Sequence, residues 1–175
     1  MPRNPSRPIL AIDPGTRELG YAILAGRRLL EHGVIPLRSL PKDQRLREAT
    51  LGMGRLVNRH RPGALVVEKT YRHPVPWLNN LHRITLAARR IAKAWRIPLH
   101  TYSPQAVRQT VAGNGKATKA EAAVIVAHRF PQLRLLLTQD RRWKERYWLN
   151  DLDAVGLAWH HQVVAHPPSR SRHSG

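Results

Sequence analysis

Only 11 of the 175 residues are Asp or Glu, so the places they occupy carry information. Asp13 closes the apolar run Ile9-Leu-Ala-Ile12, just before Pro14-Gly15, and Glu68 closes Ala64-Leu-Val-Val67. Short apolar runs ended by turn residues read as buried strands. In an open α/β sheet, ligands bind at the carboxyl ends of such strands. If the two strands are neighbours, the two carboxylates face each other and repel, which raises a pKa unless a cation intervenes. A third carboxylate, Asp153, opens the last helical pattern, with Asn150 one turn before it and Asp151 close in sequence but pointing elsewhere on a regular helix. Oxygen donors without Cys or a dense His cluster suit Mg²⁺, or Mn²⁺, rather than zinc. Two ions held by Asp13, Glu68 and Asp153 would activate water on one side of a phosphodiester and stabilise the leaving oxygen on the other. Simpler roles stand beside these: Asn150 or Asp151 as a helix N-cap, and Asp13 or Glu68 as partners of arginines.

The charge balance names the kind of substrate. Lys plus Arg number 30, and the formal net charge is +19. Each phosphate neutralised by such a residue releases counterions, so a polyanion is the expected partner. A solubilising surface would mix signs more evenly; an anionic membrane surface is the other partner the charge allows. There are no cysteines, which excludes disulfides, zinc–thiolate centres and thiol nucleophiles. Met1–Pro8 has no apolar signal-peptide core, and no apolar run is long enough to span a bilayer. The expected location is the cytoplasm, at the nucleoid, with no membrane partner.

The carboxylates need a frame, and the pattern supplies a mixed α/β body over residues 8–165. Residues 1–7 and 166–175 read as disordered basic ends, rich in Pro, Arg and Ser. After the strand ending at Asp13, residues 19–24 and 28–36 continue a three-strand meander around Ala25-Gly26. Helical spacing follows over 43–60, with Leu46, Thr50, Met53, Leu56 and Val57 on one face. A second helix carries Leu81, Ile84, Ala88, Ile91, Ala92 and Trp95 inward and Arg83, Arg89, Arg90, Lys93 and Arg96 outward. Pro98–Tyr102 reads as a third central strand. Short helices are expected over 104–111 and 118–128, an irregular basic stretch rich in Trp over 131–149, and a last helix from Asp151 to Val164. That helix would bury Leu152, Val155, Trp159 and Val163.

Four segments resemble the RuvC-type Holliday junction resolvases, in order and at similar spacing. They are Ile12-Asp-Pro-Gly-Thr-Arg-Glu-Leu-Gly-Tyr21, Val66-Val-Glu-Lys-Thr-Tyr71, the basic segment Val107–Lys119, and Asp153-Ala-Val-Gly-Leu-Ala158. The resemblance covers about residues 8–165. It implies a ribonuclease-H-like α/β fold, a mixed five-stranded sheet flanked by helices. It also implies a homodimer that binds branched DNA and nicks four-way junctions symmetrically with Mg²⁺, branch-migration proteins being candidate partners. By motif position, Asp13, Glu68 and Asp153 are its metal ligands. Tyr71 matches the aromatic at the opened junction centre, with Arg72 beside it and Trp77 competing for that role on the same loop. Arg108, Lys116 and Lys119 match DNA contacts; packing of Tyr71 against the sheet end, or solvation of the two lysines, is the plainer alternative. Asn150 departs from the family, which carries an acid or a His there, so Asn150 and Asp151 both remain candidates for the fourth catalytic position. The stretch 131–149 also looks longer than the family norm, and suits either a DNA surface or a loop with a small core.

Three other functions fit parts of the pattern. An RNA-processing nuclease of the same fold shares the first motif but lacks the Arg108–Lys119 segment. A non-catalytic junction-binding protein would follow from a dead site at Asn150. A sugar-kinase or actin-like ATPase opens similarly, but needs two such domains.

Overall fold

The computed structural model describes residues 7–71, 74, 80–138 and 141–166. Five strands form one sheet: β1 (Ile9–Asp13), β2 (Glu18–Ala25), β3 (Arg28–Pro36), β4 (Ala64–Glu68) and β5 (Leu99–Tyr102). Their spatial order is β3-β2-β1-β4-β5. The first three are antiparallel neighbours, as short connections dictate. β1 pairs with β4 in parallel, and β4 with β5. Helix α1 (Lys42–His60) precedes β4, and α2 (Asn80–Trp95) precedes β5. α3 (Pro104–Ala112), α4 (Lys119–Arg129), α5 (Arg134–Thr138) and α6 (Arg141–Ala165) complete the chain.

Strand alternation sorts the core into two halves. Leu10, Ile12, Leu19, Ile23, Leu65 and Val67 point to one face of the sheet, where they bury Met53, Leu56 and Val57 of α1 with Ile84 and Ala88 of α2. Ile9, Ala11, Ala22, Leu24 and Val66 point to the other, against α3, α4 and α6. The helices therefore lie on both faces of a mixed sheet, the expected three-layer arrangement. Alternation also decides where the strand-end acids go. Asp13 continues the parity of Ile9 and Ala11, and Glu68 that of Val66, so both face the α6 layer.

Five expectations need correction. β5 is an edge strand among the described strands, and its residues are only partly buried. Its brevity hides this, and α6 reaches it through His161, whose ring stands 4.5 Å from that of His100. The stretch 131–149 is helical, not irregular: a 3-10 turn over Pro131–Leu133, then α5, then the start of α6. The last helix is accordingly 25 residues long and begins at Arg141, so Asn150 and Asp151 are interior residues and not N-caps. On that helix Leu152 and Val155 are buried as expected, whereas Val163 is 37% exposed. Trp95 is likewise exposed, with the Arg61 guanidinium 4.7 Å above its ring. Apart from Arg7 and His166, the expected basic ends lie outside the described residues.

Candidate active site

The β1–β4 pairing runs in register from Ile9 opposite Ala64 to Ile12 opposite Val67. One step further brings Asp13 beside Glu68. Both strands end here because Pro14-Gly15 and the Lys69-Thr70 exit break the ladder. α6 crosses the same sheet face and brings Asp153 down onto them. Its close approach depends on Gly20, which pairs with Asp13 across β1–β2. A Cβ at Gly20 would stand 2.5 Å from the backbone carbon of Asn150.

Lys119 completes the group. Thr118 caps α4: its hydroxyl accepts from Glu121 N at 3.2 Å, while Glu121 Oε2 accepts from Thr118 N at 2.7 Å. That fixes Lys119 at the first helical position, where its Nζ donates to Asp153 Oδ2 at 2.7 Å. Arg108, on α3, donates from Nε to the Gly115 carbonyl at 3.4 Å. Glu68, Arg108, Lys119 and Asp153 line one narrow cavity. A roomier cleft of about 430 Å³ lies between β3 and α1, but its acids Glu31 and Glu48 are already paired with Arg59, His60 and Arg55.

Electrostatics shows how close the acids are. Burial, and then the Glu68 and Asp153 carboxylates, hold Asp13 well above the usual carboxylate range, with Lys119 opposing. Burial and Asp153 raise Glu68 against the pull of Lys119 and Arg108. Burial raises Asp153 against the same two cations. Burial alone would lower Lys119, yet Asp153, Asp13 and Glu68 together raise it. Among the described residues neither Asp13 nor Glu68 is ion-paired with an arginine. No three His, Asp or Glu side chains among those residues converge tightly enough to cage an ion as they stand. The lysine ammonium supplies the countercharge. Hard, buried, mutually repelling carboxylate oxygens are the donor set that a divalent cation satisfies, so the residues fit such an ion.

The other candidates scatter. Tyr71, just past β4, is 71% exposed, so it does not pack against the sheet end; Lys69 Nζ sits 5.4 Å from its ring centre. Lys116 is exposed in the loop before α4. Arg72 and Trp77 lie outside the described residues. Asn150 turns towards β2, donating from Nδ2 to Glu18 Oε1 at 3.1 Å. Asp151 is not brought to the group: it is 1% exposed, and its carboxylate accepts from His32 Nδ1 of β3 at 2.9 Å. A helix that reaches back past residue 150 turns adjacent side chains about 100° apart, which separates Asp151 from Asp153.

One residue went unselected in the sequence. Glu18 is 5% exposed, and burial raises its carboxyl while Arg38 opposes. Its charge also bears on Asp13. The parity of Ala22 on β2 was the available signal, since it places Glu18 on the face shared by Asp13 and Glu68.

Comparison with known proteins identifies the family and its fold. The family model for the crossover junction endodeoxyribonuclease RuvC matches residues 9–140. The RuvC of Aliarcobacter butzleri is 34% identical over 162 residues, 87% of this chain and 96% of its own. That of Alkalilimnicola ehrlichii is 32% identical over 173 residues, 95% and 98% of the two chains. Among solved structures, Thermus thermophilus RuvC in complex with Holliday junction substrate superposes with a TM-score of 0.72 at 25% identity, covering 91% of this chain and 94% of that one. The yeast mitochondrial Holliday junction resolvase superposes at 0.63 with 15% identity over 92% and 81% of the two chains, a likeness of fold alone. The sheet and its helices are thus ribonuclease-H-like, and the chain belongs to the RuvC family of crossover junction endodeoxyribonucleases.

Proposed function

We propose that this protein resolves four-way DNA junctions by metal-dependent, symmetric nicking of two strands. The observation that carries the reading is the meeting of Asp13, Glu68 and Asp153 at one sheet edge beside Lys119. These three carboxylates would hold Mg²⁺, or Mn²⁺, as a pair of ions. When bound, the ions supply Lewis-acid stabilisation of charge at the phosphodiester and make a nearby water more acidic.

The protein's own groups do the rest. Burial of Asp13 keeps bulk water away and strengthens every charge interaction around it. Lys119 holds Asp153 in place and offers its ammonium to phosphate, as does the Arg108 guanidinium from the neighbouring helix. The amides of the first turn of α4 add a favourable dipole for phosphate. Tyr71 presents its ring at the same edge, where stacking on an unpaired base would contribute about 1–3 kcal/mol. Lys116 would add a further DNA contact, as would Arg72 and Trp77 by their motif position. A homodimer would set two such sites against two strands of one junction, with branch-migration proteins as working partners at the nucleoid. No helix among the described residues is long and apolar enough to cross a membrane.

Labelled four-way junctions, linear duplex and structured RNA, each incubated with Mg²⁺ or EDTA, test the proposal. Paired symmetric nicks confined to junctions and to Mg²⁺ are expected. Cutting of RNA instead, or tight junction binding with no cutting, would overturn it.

A further inference from the structure

Asp13, Glu68 and Asp153 are carboxylic acids, whereas Asn150, one turn before Asp153 on α6, is an amide. Its amide lies against β2, where it donates from Nδ2 to Glu18 Oε1 at 3.1 Å. Glu18 is 5% exposed, an unusual degree of burial for a carboxylate. Gly20 stands opposite Asp13, and Glu18 is the next residue on that face of β2. Such diagonal neighbours lie roughly 7–8 Å apart. Glu18 and Asn150 line one surface cavity with Pro14, Gly15, Thr16 and Arg17, the turn that leaves Asp13. Gly15 is confined in the same place, since a Cβ there would come within 3.1 Å of Asn150 Nδ2 and clash with the Glu18 carbonyl. The pair is therefore built into the turn that carries Asp13.

An ionised carboxylate only accepts hydrogen bonds, so the amide must present Nδ2 to it and leave Oδ1 as its acceptor. We propose that Glu18 is a positioning residue of the nuclease site: paired with Asn150, it sets a buried carboxylate from strand β2 beside the turn that carries Asp13. The proposal rests on the nuclease reading. Glu18 orients the Asn150 amide and adds its field to the Asp13–Glu68–Asp153 group, favouring a divalent cation there.

Exchanging the two partners tests this. Mn²⁺ affinity, measured by calorimetry, and junction cutting would be compared for Glu18→Gln, Asn150→Asp, the double exchange and Asp13→Asn, with melting in EDTA as the check on folding. Glu18→Gln keeps size and can still accept from Asn150, but removes charge; Mn²⁺ affinity should fall about tenfold or more, as for other groups that orient metal ligands. Asn150→Asp opposes two carboxylates without a donor and should lower the melting temperature. The double exchange restores donor, acceptor and charge, and should return Mn²⁺ affinity to within a few-fold of wild type. Unchanged affinity in Glu18→Gln, or a double variant no better than Glu18→Gln alone, would overturn the role of Glu18. Asp13→Asn separates the two readings. If it abolishes Mn²⁺ binding while Glu18→Gln is silent, only the Glu18 proposal fails; if it leaves binding and cutting intact, the nuclease reading itself fails.

Discussion

Lys119 Nζ donates a 2.7 Å hydrogen bond to Asp153 Oδ2, tying the first turn of α4 to the middle of α6 beside the acids that end β1 and β4. The bond joins two helices, but its larger consequence is electrostatic: one ammonium serves three carboxylates.

Lys119→Met should therefore separate ion binding from catalysis. Without the ammonium, Asp153 loses its competitor for a divalent cation, and Mn²⁺ should bind more tightly. Cutting should nevertheless fall on the order of 100-fold, the usual loss when one preorganised donor to developing charge is removed. Calorimetric Mn²⁺ titration and single-turnover cutting of a labelled junction read the two effects. Weaker Mn²⁺ binding would show that the lysine supports the site differently.

Asp13 makes the metal-free fold less stable at neutral pH. Its carboxyl is raised in the folded protein by burial and by Glu68 and Asp153, so the folded state binds that proton more tightly than the unfolded chain does. Stability from that proton is fully present below the ordinary aspartate value of the unfolded chain and is lost as pH rises through the raised folded value. Asp13→Asn should thus melt higher than wild type in EDTA at pH 7, with the gap closing towards pH 4. A gain of about 1 kcal/mol corresponds to about 2–4 °C. Added Mg²⁺ should raise the melting temperature of wild type and leave the variant unmoved. A lower melting temperature for the variant in EDTA would contradict the electrostatic account.

Gly20→Ala tests the packing that delivers Asp153. The added Cβ meets the backbone of Asn150, and backbone cannot rotate aside. Overpacking of this kind costs about 1–3 kcal/mol. Both the denaturant midpoint and junction cutting should fall, and Mn²⁺ binding should weaken because α6 is displaced. Wild-type behaviour in all three would mean that α6 is free to shift without consequence.

The exposed ring of Tyr71 should matter for junctions and not for linear duplex. Tyr71→Ala should lose junction affinity by about 1–3 kcal/mol, the range for one stacked base, while Tyr71→Phe keeps it. Competition binding with the two DNAs measures the difference, and equal losses on both would assign Tyr71 to simple backbone contact. In either variant, affinity should still fall steeply with salt, because phosphate contacts dominate.

Much of this was legible before any coordinates. Apolar runs ended by turn residues located the strands of Asp13 and Glu68, and strand parity places both on one face. The α6 region was harder to read. The sequence pattern predicts a helix only from Asp151, because the charged and aromatic residues of 141–149 break the apolar period, and α6 as a whole has almost no one-sided character. Extending it back to Arg141 explains why Asp151 pairs with His32 and why Asn150 faces Glu18. Neither contact follows from spacing alone, since each joins residues more than 100 positions apart. The edge position of β5 was hidden for a similar reason: four residues, Leu-His-Thr-Tyr, are too few to show the polar alternation of an edge strand, and the packing of His161 on His100 joins distant positions.

The central claim is that Asp13, Glu68 and Asp153 act as one divalent-ion site that cuts branched DNA. The most direct measurement follows binding and cutting of a labelled four-way junction by wild type, Asp13→Asn, Glu68→Gln and Asp153→Asn in Mg²⁺. Wild type should produce paired nicks at symmetric positions, and each variant should bind the junction as tightly while leaving it uncut. Cutting retained by any of the three variants would contradict the account.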